Sequence, residues 1–208
     1  MIIVHHLNFS RSTRVLWLLE ELALPYEIRF HQRTPGFRAP DSLKAVHPLG
    51  KAPVMVDGDV TLAESAVILT YLNDRHGQGR LAPPPGTIRR TRHDEWLHFV
   101  ESSAAFPVAL GFYGGLTGGL SPVLGRIAER EQHNGFDHIA RALDGKPYLM
   151  GEDFTLADIQ LAYLLDLARY AGQLAAYPAL ADYLARLQAR GPYAAAVAKG
   201  GPMVPPRN

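Results

Sequence analysis

The sequence predicts an α/β domain over residues 1–77, a linker over 78–87 and an all-helical domain over 88–208. Strand-like and helix-like patterns alternate in the first part, in the order β-α-β-α-β-β-α. The stretch GQGRLAPPPG that follows has the glycine and proline content of a linker. After it we find helical patterns only, so the predicted fold class is α/β followed by all-α.

The first strand–helix–strand unit spans residues 2–30. Ile2–His6 is a short apolar run that predicts a buried strand, and the leucine-rich residues 12–24 predict a helix that Pro25 ends. Tyr26–Phe30 alternates apolar and polar residues, which is the period of a half-buried strand. Because a helix joins the two strands, we expect them to be parallel, with a right-handed crossover.

A hairpin and a helix complete the α/β domain. A short helix is predicted around Asp41–Val46. The apolar runs Pro53–Val56 and Val60–Leu62 flank Asp57-Gly58-Asp59, and Asp-Gly between apolar runs is a strong hairpin signal. Glu64-Ser65 then opens a helix, because apolar residues follow at helical spacing.

The helical part begins with a long helix over Thr87–Phe112, which we expect to bend near Pro107. Five glycines between Gly111 and Gly119 are expected to interrupt the helical pattern. Ser121-Pro122 predicts the next helix start, a serine cap with proline at the first helical position, and Asp144-Gly145 predicts its end.

Further helices are predicted near the C-terminus. Thr155 is the expected cap of one helix, with Asp158 reaching back to the N–H of the cap residue. Tyr177-Pro178 opens another helix, which Gly191-Pro192 is expected to end. Tyr193–Lys199 is expected to add a last turn or two of helix, and the tail GGPMVPPRN is expected to be loose.

Composition excludes several classes of function. The net charge of +1 over 208 residues gives no sign of a nucleic-acid partner. The chain has no cysteine, which excludes disulfides, thiolate metal sites and a thiol nucleophile of its own. His5 and His6 are adjacent on a strand and point to opposite faces, so no metal site is expected. Without a signal-peptide pattern or a run long enough for a membrane span, we expect a cytoplasmic protein with no membrane partner.

Polar residues at the joints of the hairpin segment suggest a ligand. Ser65, near a helix start, would place a hydroxyl and free backbone N–H groups against an anion. Glu64 would attract an ammonium group, and Lys51 would pair with a second carboxylate. Glutathione carries these groups in this order. Each residue alone also has an ordinary explanation, as a helix cap, a first-turn acid or a solvated loop charge.

Three motifs, HPLGKAP, LAES and FTLADI, resemble those of the soluble glutathione S-transferases, in the same order along the chain. The resemblance covers nearly the whole sequence and is closest to serine-type bacterial and fungal members. It implies a thioredoxin-like first domain, a helical second domain and a homodimer. It also implies a cis bond between Ala52 and Pro53, with the backbone of Ala52 facing the cysteinyl part of glutathione. Glu64 and Ser65 match the positions that hold the γ-glutamyl head, and Lys51 matches one that faces the glycyl carboxylate.

A transferase of this family must ionise the glutathione thiol, whose pKa in free form is about 8.5. A hydrogen-bond donor aimed at the sulfur would stabilise the thiolate. Ser10 fits the serine-type members because it lies four residues before Arg14. Asn8 is the rival donor, and Ser12 is the alternative helix cap, in which case Ser10 is only a turn residue.

The resemblance places the electrophile between the two domains, against the first long helix of the second. Phe106, Phe112 and Tyr113 are the candidate lining residues, although ordinary helix core is the favoured interpretation for Phe106. The expected activity is the conjugation of glutathione, as co-substrate, to small hydrophobic electrophiles. The alternatives are a glutathione-dependent peroxidase or reductase and a non-catalytic ligand-binding module with the same fold.

Overall fold

The computed structural model describes residues 1–206, which form two compact units. One unit contains Met1–Leu81 together with the chain from Ala189 onward, and the other contains Ala82–Gln188. No helix in the described part of the chain is long and apolar enough to cross a membrane.

The first unit is built on a four-stranded mixed sheet, as expected for a thioredoxin-like domain. The strand order is β2-β1-β3-β4, with β1 and β2 parallel and the other neighbours antiparallel. The predicted hairpin is present, and β3 and β4 are joined at Asp57-Gly58-Asp59. The strands are β1 (Ile2–Leu7), β2 (Tyr26–His31), β3 (Val54–Asp57) and β4 (Val60–Ala63).

The helices follow the sheet elements in the order that the sequence predicts. The predicted short helix at Asp41–Val46 is a single 3₁₀ turn over Asp41–Leu43. The α-helices are α1 (Thr13–Glu21), α2 (Ser65–Arg75), α3 (Ile88–Phe99), α4 (Ala105–Leu116), α5 (Pro122–Leu143), α6 (Leu156–Tyr170), α7 (Pro178–Gln188) and α8 (Gly191–Gly200).

The C-terminal end differs from the prediction. Pro192 lies in the first turn of α8 instead of ending α7, because proline suits a position where the backbone N–H has no helical partner. α8 packs on α1 within the first unit, where Tyr193 meets Trp17 edge-on with ring centroids 5.2 Å apart. The expectation of a loose tail is also wrong for residues 201–206, since Met203 and Val204 are buried.

Two salt bridges secure α8 to α1. The Arg190 guanidinium contacts both carboxylate oxygens of Glu21, at 2.7 and 2.9 Å. Lys199 pairs with Glu20 at 2.5 Å at the other end of α8. Gly200 allows this close approach, because a Cβ there would collide with the buried Leu16 side chain unless that side chain moved. These contacts explain why the C-terminal helix groups with the first unit and not with the predicted helical domain.

The first long helix of the second unit is divided at a different place from the prediction. A π-helical turn over Val100–Ala104 separates α3 from α4. This wide turn comes just before Pro107, whose ring would press on the carbonyl of Ser103 in a regular α-helix. The bend expected at Pro107 is therefore replaced by an inserted turn on its N-terminal side.

Two glycines of α4 are close to other side chains and do not break the helix. Gly111 and Gly114 lie inside the helix, which continues to Leu116. A Cβ at Gly114 would lie 2.6 Å from Cγ of Leu120, and one at Gly111 would meet the end of the Gln173 side chain, so a larger residue at either position would require these side chains to move. The prediction that glycine interrupts the helix from residue 111 is wrong for this reason.

The predicted start signals of α5 and α6 are confirmed. The Ser121 hydroxyl accepts the N–H of Leu124 at the start of α5. Thr155 and Asp158 form a capping box at the start of α6. The buried Asp158 carboxylate also accepts the Tyr183 hydroxyl at 2.6 Å, which ties α6 to α7.

Candidate functional site

Sheet register brings the predicted site segments to one edge of the first unit. β1 and β2 are parallel, so both end at this edge. β3 is antiparallel to β1 and starts here, with Val54 opposite His5. β4 returns to the same edge, because its last residue Ala63 pairs with Val54. The segments at this edge, in strand order, are 32–33, 8–10, 51–53 and 64–65.

The backbone at Glu64 is in an unusual conformation. Its φ is +69° and its ψ is 118°, in a region that non-glycine residues seldom occupy. Such conformations cost about 1–3 kcal/mol and cluster at ligand sites, where the surrounding structure holds them in place. The Glu64 side chain is exposed, so its carboxylate is free to meet a cationic group at the start of α2.

The first turn of α2 has unfilled hydrogen-bonding capacity. No side chain caps this helix. Ser65, its first residue, is only 4% exposed, yet its hydroxyl makes no hydrogen bond to any residue within the described chain. Unpaired N–H groups and a helix dipole favour an anion, and the Ser65 hydroxyl adds a further donor. The site is therefore suited to a carboxylate.

The adjoining loop carries the other predicted contacts. The Ala52-Pro53 peptide bond is cis, which confirms that prediction. Pro53 is buried at the start of β3, whereas Lys51 is exposed and forms no ion pair with the residues that the structure describes. Lys51 is thus a free cation beside the cis bond.

The Ser10 hydroxyl is buried and engaged within the turn between β1 and α1. It donates to the Leu7 carbonyl at 2.7 Å and accepts the N–H of Ser12 at 3.2 Å. Ser12 precedes α1, but its own hydroxyl does not cap the helix. It instead lies 2.7 Å from the Ser10 hydroxyl and 2.8 Å from Nδ1 of His6. A rotation about the Cβ–Oγ bond of Ser10 is enough to redirect its hydrogen.

Asn8 lies at the same turn, but its side-chain hydrogen-bond donors are not in use within the described chain. Its side-chain oxygen accepts the backbone N–H of Arg33 at 2.9 Å. Its amide nitrogen has no hydrogen-bond acceptor among residues 1–206, so it is an available donor. Both candidate donors are therefore at the expected edge, one with its hydrogen in use and one with its hydrogens free.

Sequence reasoning missed Arg33. Its guanidinium donates to the carbonyl oxygens of Asn8 and Phe9 at 3.0 and 2.9 Å, and to that of Phe37 at 2.9 Å. It also lies 4.4 Å from the centre of the Phe37 ring. Phe9 has a φ of +52°, so Arg33 holds a strained turn directly before Ser10. A single arginine after a strand carries no local signal that would have identified this contact.

The three candidate pocket residues lie on α4. Phe112 contacts Tyr113 with ring centroids 5.2 Å apart and Tyr170 of α6 at 6.0 Å. Tyr113 is 61% exposed and Phe106 is 66% exposed. The core interpretation favoured for Phe106 is therefore wrong, because its side chain points away from the interior of the helical unit.

The described residues contain no group of three or more histidine, cysteine or carboxylate side chains placed to hold a metal ion. His5 and His6 diverge as expected, since His5 contacts His31 at 3.0 Å while His6 contacts the Gly200 carbonyl.

Comparisons with known proteins agree with this arrangement. Residues 9–75 match the model of the glutathione S-transferase N-terminal domain, and residues 87–186 match that of the C-terminal domain. Glutathione S-transferase 3 of Schizosaccharomyces pombe is 35% identical over 176 residues, which cover 78% of this chain and 72% of that protein. Glutathione S-transferase 1 of Saccharomyces cerevisiae is 29% identical, with 94% of each chain covered.

Solved structures show the same fold. A glutathione S-transferase from Actinobacillus pleuropneumoniae has a TM-score of 0.88 and 34% identity, covering 96% of this chain and 93% of its own. A sphingomonad glutathione S-transferase solved in complex with glutathione has a TM-score of 0.80 and 26% identity, covering 96% and 98%. Sequence motifs, sheet topology and both domain models agree, and the chain belongs to the glutathione S-transferase family.

Proposed function

We propose that this protein is a glutathione transferase that conjugates glutathione to small hydrophobic electrophiles. The observation that carries the proposal is the start of α2, where a helix without a cap, a strained Glu64 and an unpaired Ser65 hydroxyl occur together. Other helices of this chain, such as α8, also lack a side-chain cap, so the combination with Glu64 and Ser65, and not the missing cap alone, supports the proposal.

Glutathione would bind along the sheet edge. Ser65 and the first N–H groups of α2 would receive the γ-glutamyl carboxylate, and Glu64 would pair with the adjacent ammonium group. The backbone of Ala52 would pair with the cysteinyl part of the tripeptide. Lys51, exposed and without an ion pair in the described structure, would meet the glycyl carboxylate.

The chemical step is the formation and use of a thiolate. The bound thiol loses its proton to solvent water, and the Ser10 hydroxyl turns from the Leu7 carbonyl to donate to the sulfur. This bond favours the anion and lowers the thiol pKa. The thiolate then attacks the electrophilic carbon, forming a C–S bond while a leaving group departs with its electron pair or an activated double bond takes up a proton.

Asn8 is the competing donor, and its free amide nitrogen supports that alternative. The variants Ser10→Ala and Asn8→Ala distinguish the two candidate donors. Each is tested for turnover and for the pKa of the bound thiol. We expect Ser10→Ala to lower turnover and raise that pKa, and Asn8→Ala to leave both near the wild-type values. The reverse result would transfer the donor role to Asn8.

The aromatic residues of α4 are proposed to face the electrophile. Phe112 and Tyr113 form a continuous aromatic surface, and the exposed ring of Phe106 lies on the same helix. Phe112→Ala should raise KM for an aromatic electrophile and leave KM for glutathione unchanged. We also propose a homodimer in the cytoplasm, as the resemblance implies, which sedimentation and cell fractionation would test.

The main test combines binding with turnover. Glutathione at about a hundred times its Kd should raise the unfolding free energy by about 2.7 kcal/mol. Conjugation should then be assayed with halogenated aromatics, enones and epoxides, with hydroperoxides in parallel. An unchanged melting temperature at millimolar glutathione would refute the proposal. Binding without turnover would indicate a ligand-binding module, and turnover of hydroperoxides alone would indicate a peroxidase.

A further inference from the structure

Three side chains and one carbonyl form a continuous hydrogen-bonded chain behind the proposed thiolate donor. Nε2 of His6 lies 2.8 Å from the Gly200 carbonyl at the end of α8. Nδ1 of His6 lies 2.8 Å from the Ser12 hydroxyl, which lies 2.7 Å from the Ser10 hydroxyl. His6 and Ser12 have no exposed surface, and Ser10 is 5% exposed.

The donor and the acceptor of each hydrogen bond in this series can be assigned from the chemistry of the groups. A carbonyl oxygen only accepts, so Nε2 of His6 must carry a hydrogen and donate to Gly200. Burial lowers the pKa of His6, with a smaller opposing effect of the Gly200 carbonyl and a lowering effect of His31, so the ring is neutral near pH 7. Nδ1 is then an acceptor, and the Ser12 hydroxyl donates to it.

This assignment leaves Ser12 as an acceptor towards its other neighbours. Its oxygen accepts the Leu7 N–H at 3.2 Å and is available to the Ser10 hydroxyl at 2.7 Å. The Ser12 N–H also donates to the Ser10 oxygen. The Ser12 N–H thus holds the Ser10 oxygen, while the single hydrogen of Ser10 can turn to the Leu7 carbonyl, to the Ser12 oxygen or to a third acceptor.

The backbone at Ser12 agrees with this arrangement. Its φ of −67° and ψ of −22° are already helical, so its side chain does not cap α1 and is available to His6.

We propose that His6 and Ser12 are positioning residues that fix the Ser10 oxygen for its hydrogen bond to the glutathione sulfur. This inference rests on the proposed function, with Ser10 as the donor. His6 fixes the Ser12 hydroxyl, the Ser12 N–H holds the Ser10 oxygen, and the carbonyl at the end of α8 fixes the tautomer of His6.

Two pairs of variants separate positioning from simple stability. Ser12→Ala removes the hydroxyl that links Ser10 to His6 and keeps the backbone N–H of residue 12, whereas Ser12→Thr keeps the hydroxyl. His6→Gln offers a donor near Nε2 but no acceptor at Nδ1, whereas His6→Asn offers an acceptor at Nδ1 but no contact with Gly200. Ser42→Ala is the matched control, because it breaks another 2.8 Å serine–histidine contact, to His31, in the same unit.

The readout is the pKa of the thiol of bound glutathione, which is measured from the ultraviolet absorbance of the thiolate. The kinetic constants kcat and KM are measured alongside it. Ser12→Ala and His6→Gln should raise the thiol pKa by about one unit, which is tenfold less thiolate well below the pKa. KM for glutathione should change less than about twofold, because the contacts at α2 remain. Ser12→Thr and His6→Asn should recover most of the lost thiolate, and Ser42→Ala should show the wild-type pKa.

The outcomes distinguish this inference from the function on which it rests. If the wild type binds no glutathione or forms no thiolate, the proposed function fails. If the wild type forms the thiolate but Ser12→Ala and His6→Gln leave its pKa unchanged, only the positioning role is refuted. A variant that is less stable but retains the wild-type thiol pKa in its folded fraction would also refute it.

Discussion

The first turns of α2 and α6 both have backbone N–H groups without a partner in the helix, and the two starts differ in how these groups are treated. At α6, Asp158 is buried and accepts the N–H of Thr155 at 2.7 Å and that of Leu149 at 3.0 Å. At α2, no side chain accepts from the first turn, Glu64 is exposed with a positive φ, and the Ser65 hydroxyl has no partner in residues 1–206. One start is closed by the protein itself, and the other is left open.

This difference separates a structural helix start from a functional one. This chain caps α3 with Thr87 and α5 with Ser121 but leaves α1 and α8 without a side-chain cap, so what distinguishes α2 is the positive φ of Glu64 beside its open start. Free N–H groups beside a strained residue are costly unless something binds them. The closed start should therefore control stability, and the open start should control glutathione affinity.

The largest expected effect is the loss of stability in Asp158→Ala. This change leaves the Tyr183 hydroxyl and the Leu149 and Thr155 N–H groups without their buried acceptor. We expect the free energy of unfolding to fall by about 3–5 kcal/mol, measured by urea denaturation. Asp153→Ala, which removes an exposed ion pair with Arg89, is the control and should cost less than about 1 kcal/mol. Equal losses in the two variants would contradict the structural role of the closed start.

Ser65→Ala should weaken glutathione binding and leave the stability of the protein nearly unchanged. We expect glutathione to bind about 10- to 100-fold more weakly, because a hydrogen bond to a charged carboxylate contributes about 1.5–3 kcal/mol. The free energy of unfolding without glutathione should change by less than about 0.5 kcal/mol, since this hydroxyl has no partner within the described chain. Calorimetric titration and urea denaturation give the two values.

Thr155→Ala is the matched variant at the closed start. It should lower stability by about 1 kcal/mol and leave the Kd for glutathione unchanged. If Ser65→Ala lowers stability as much as Thr155→Ala does, the contrast between the two starts is wrong.

Glu64→Gly should stabilise the protein while it weakens binding. Glycine accepts a positive φ without strain, so removing about 1–3 kcal/mol of strain outweighs the added flexibility of the unfolded chain. We expect a net gain of about 1 kcal/mol in urea denaturation. Glu64→Gln keeps the strain and removes only the charge, so it should weaken glutathione binding without the gain in stability. A loss of stability in Glu64→Gly would show that its backbone is not strained.

The same contrast explains how far the sequence could predict this structure. Thr155 with Asp158, Ser121-Pro122 and Asp57-Gly58 act within a few residues along the chain, and their predictions were confirmed. The cis bond at Pro53 was predicted only through the family resemblance.

What the sequence could not predict depends on contacts between distant residues. Arg33 holds Asn8 and Phe9 from 25 and 24 residues away, and His6 meets Gly200 across 194 residues. Gly114 looks like a helix breaker until the position of Leu120 is known. Local patterns identified where the site begins, whereas the supporting contacts behind it required the fold.

The smallest expected effect concerns the far end of α2, which is anchored while its start is open. The Asp57 carboxylate accepts the Tyr71 hydroxyl at 3.0 Å and Nε2 of His76 at 2.7 Å. The hydrogen bond from His76 is the main cause of the lowered pKa of Asp57. A carboxylate with a lowered pKa in the folded state stabilises that state above its unfolded pKa of about 3.9, and the contribution is lost as the pH falls through the folded value.

Asp57→Asn should therefore lower the free energy of unfolding at pH 7, by less than about 1 kcal/mol because the pair is partly solvated. The difference in the free energy of unfolding between this variant and the wild type should be the same at pH 5 as at pH 7. It should shrink as the pH falls below about 3.9. Urea denaturation of both proteins across this range measures it. A difference that grows on acidification would contradict the assigned sign. Glutathione affinity should change little in this variant, because the anchor lies at the opposite end of α2 from Ser65, where the ligand is proposed to bind.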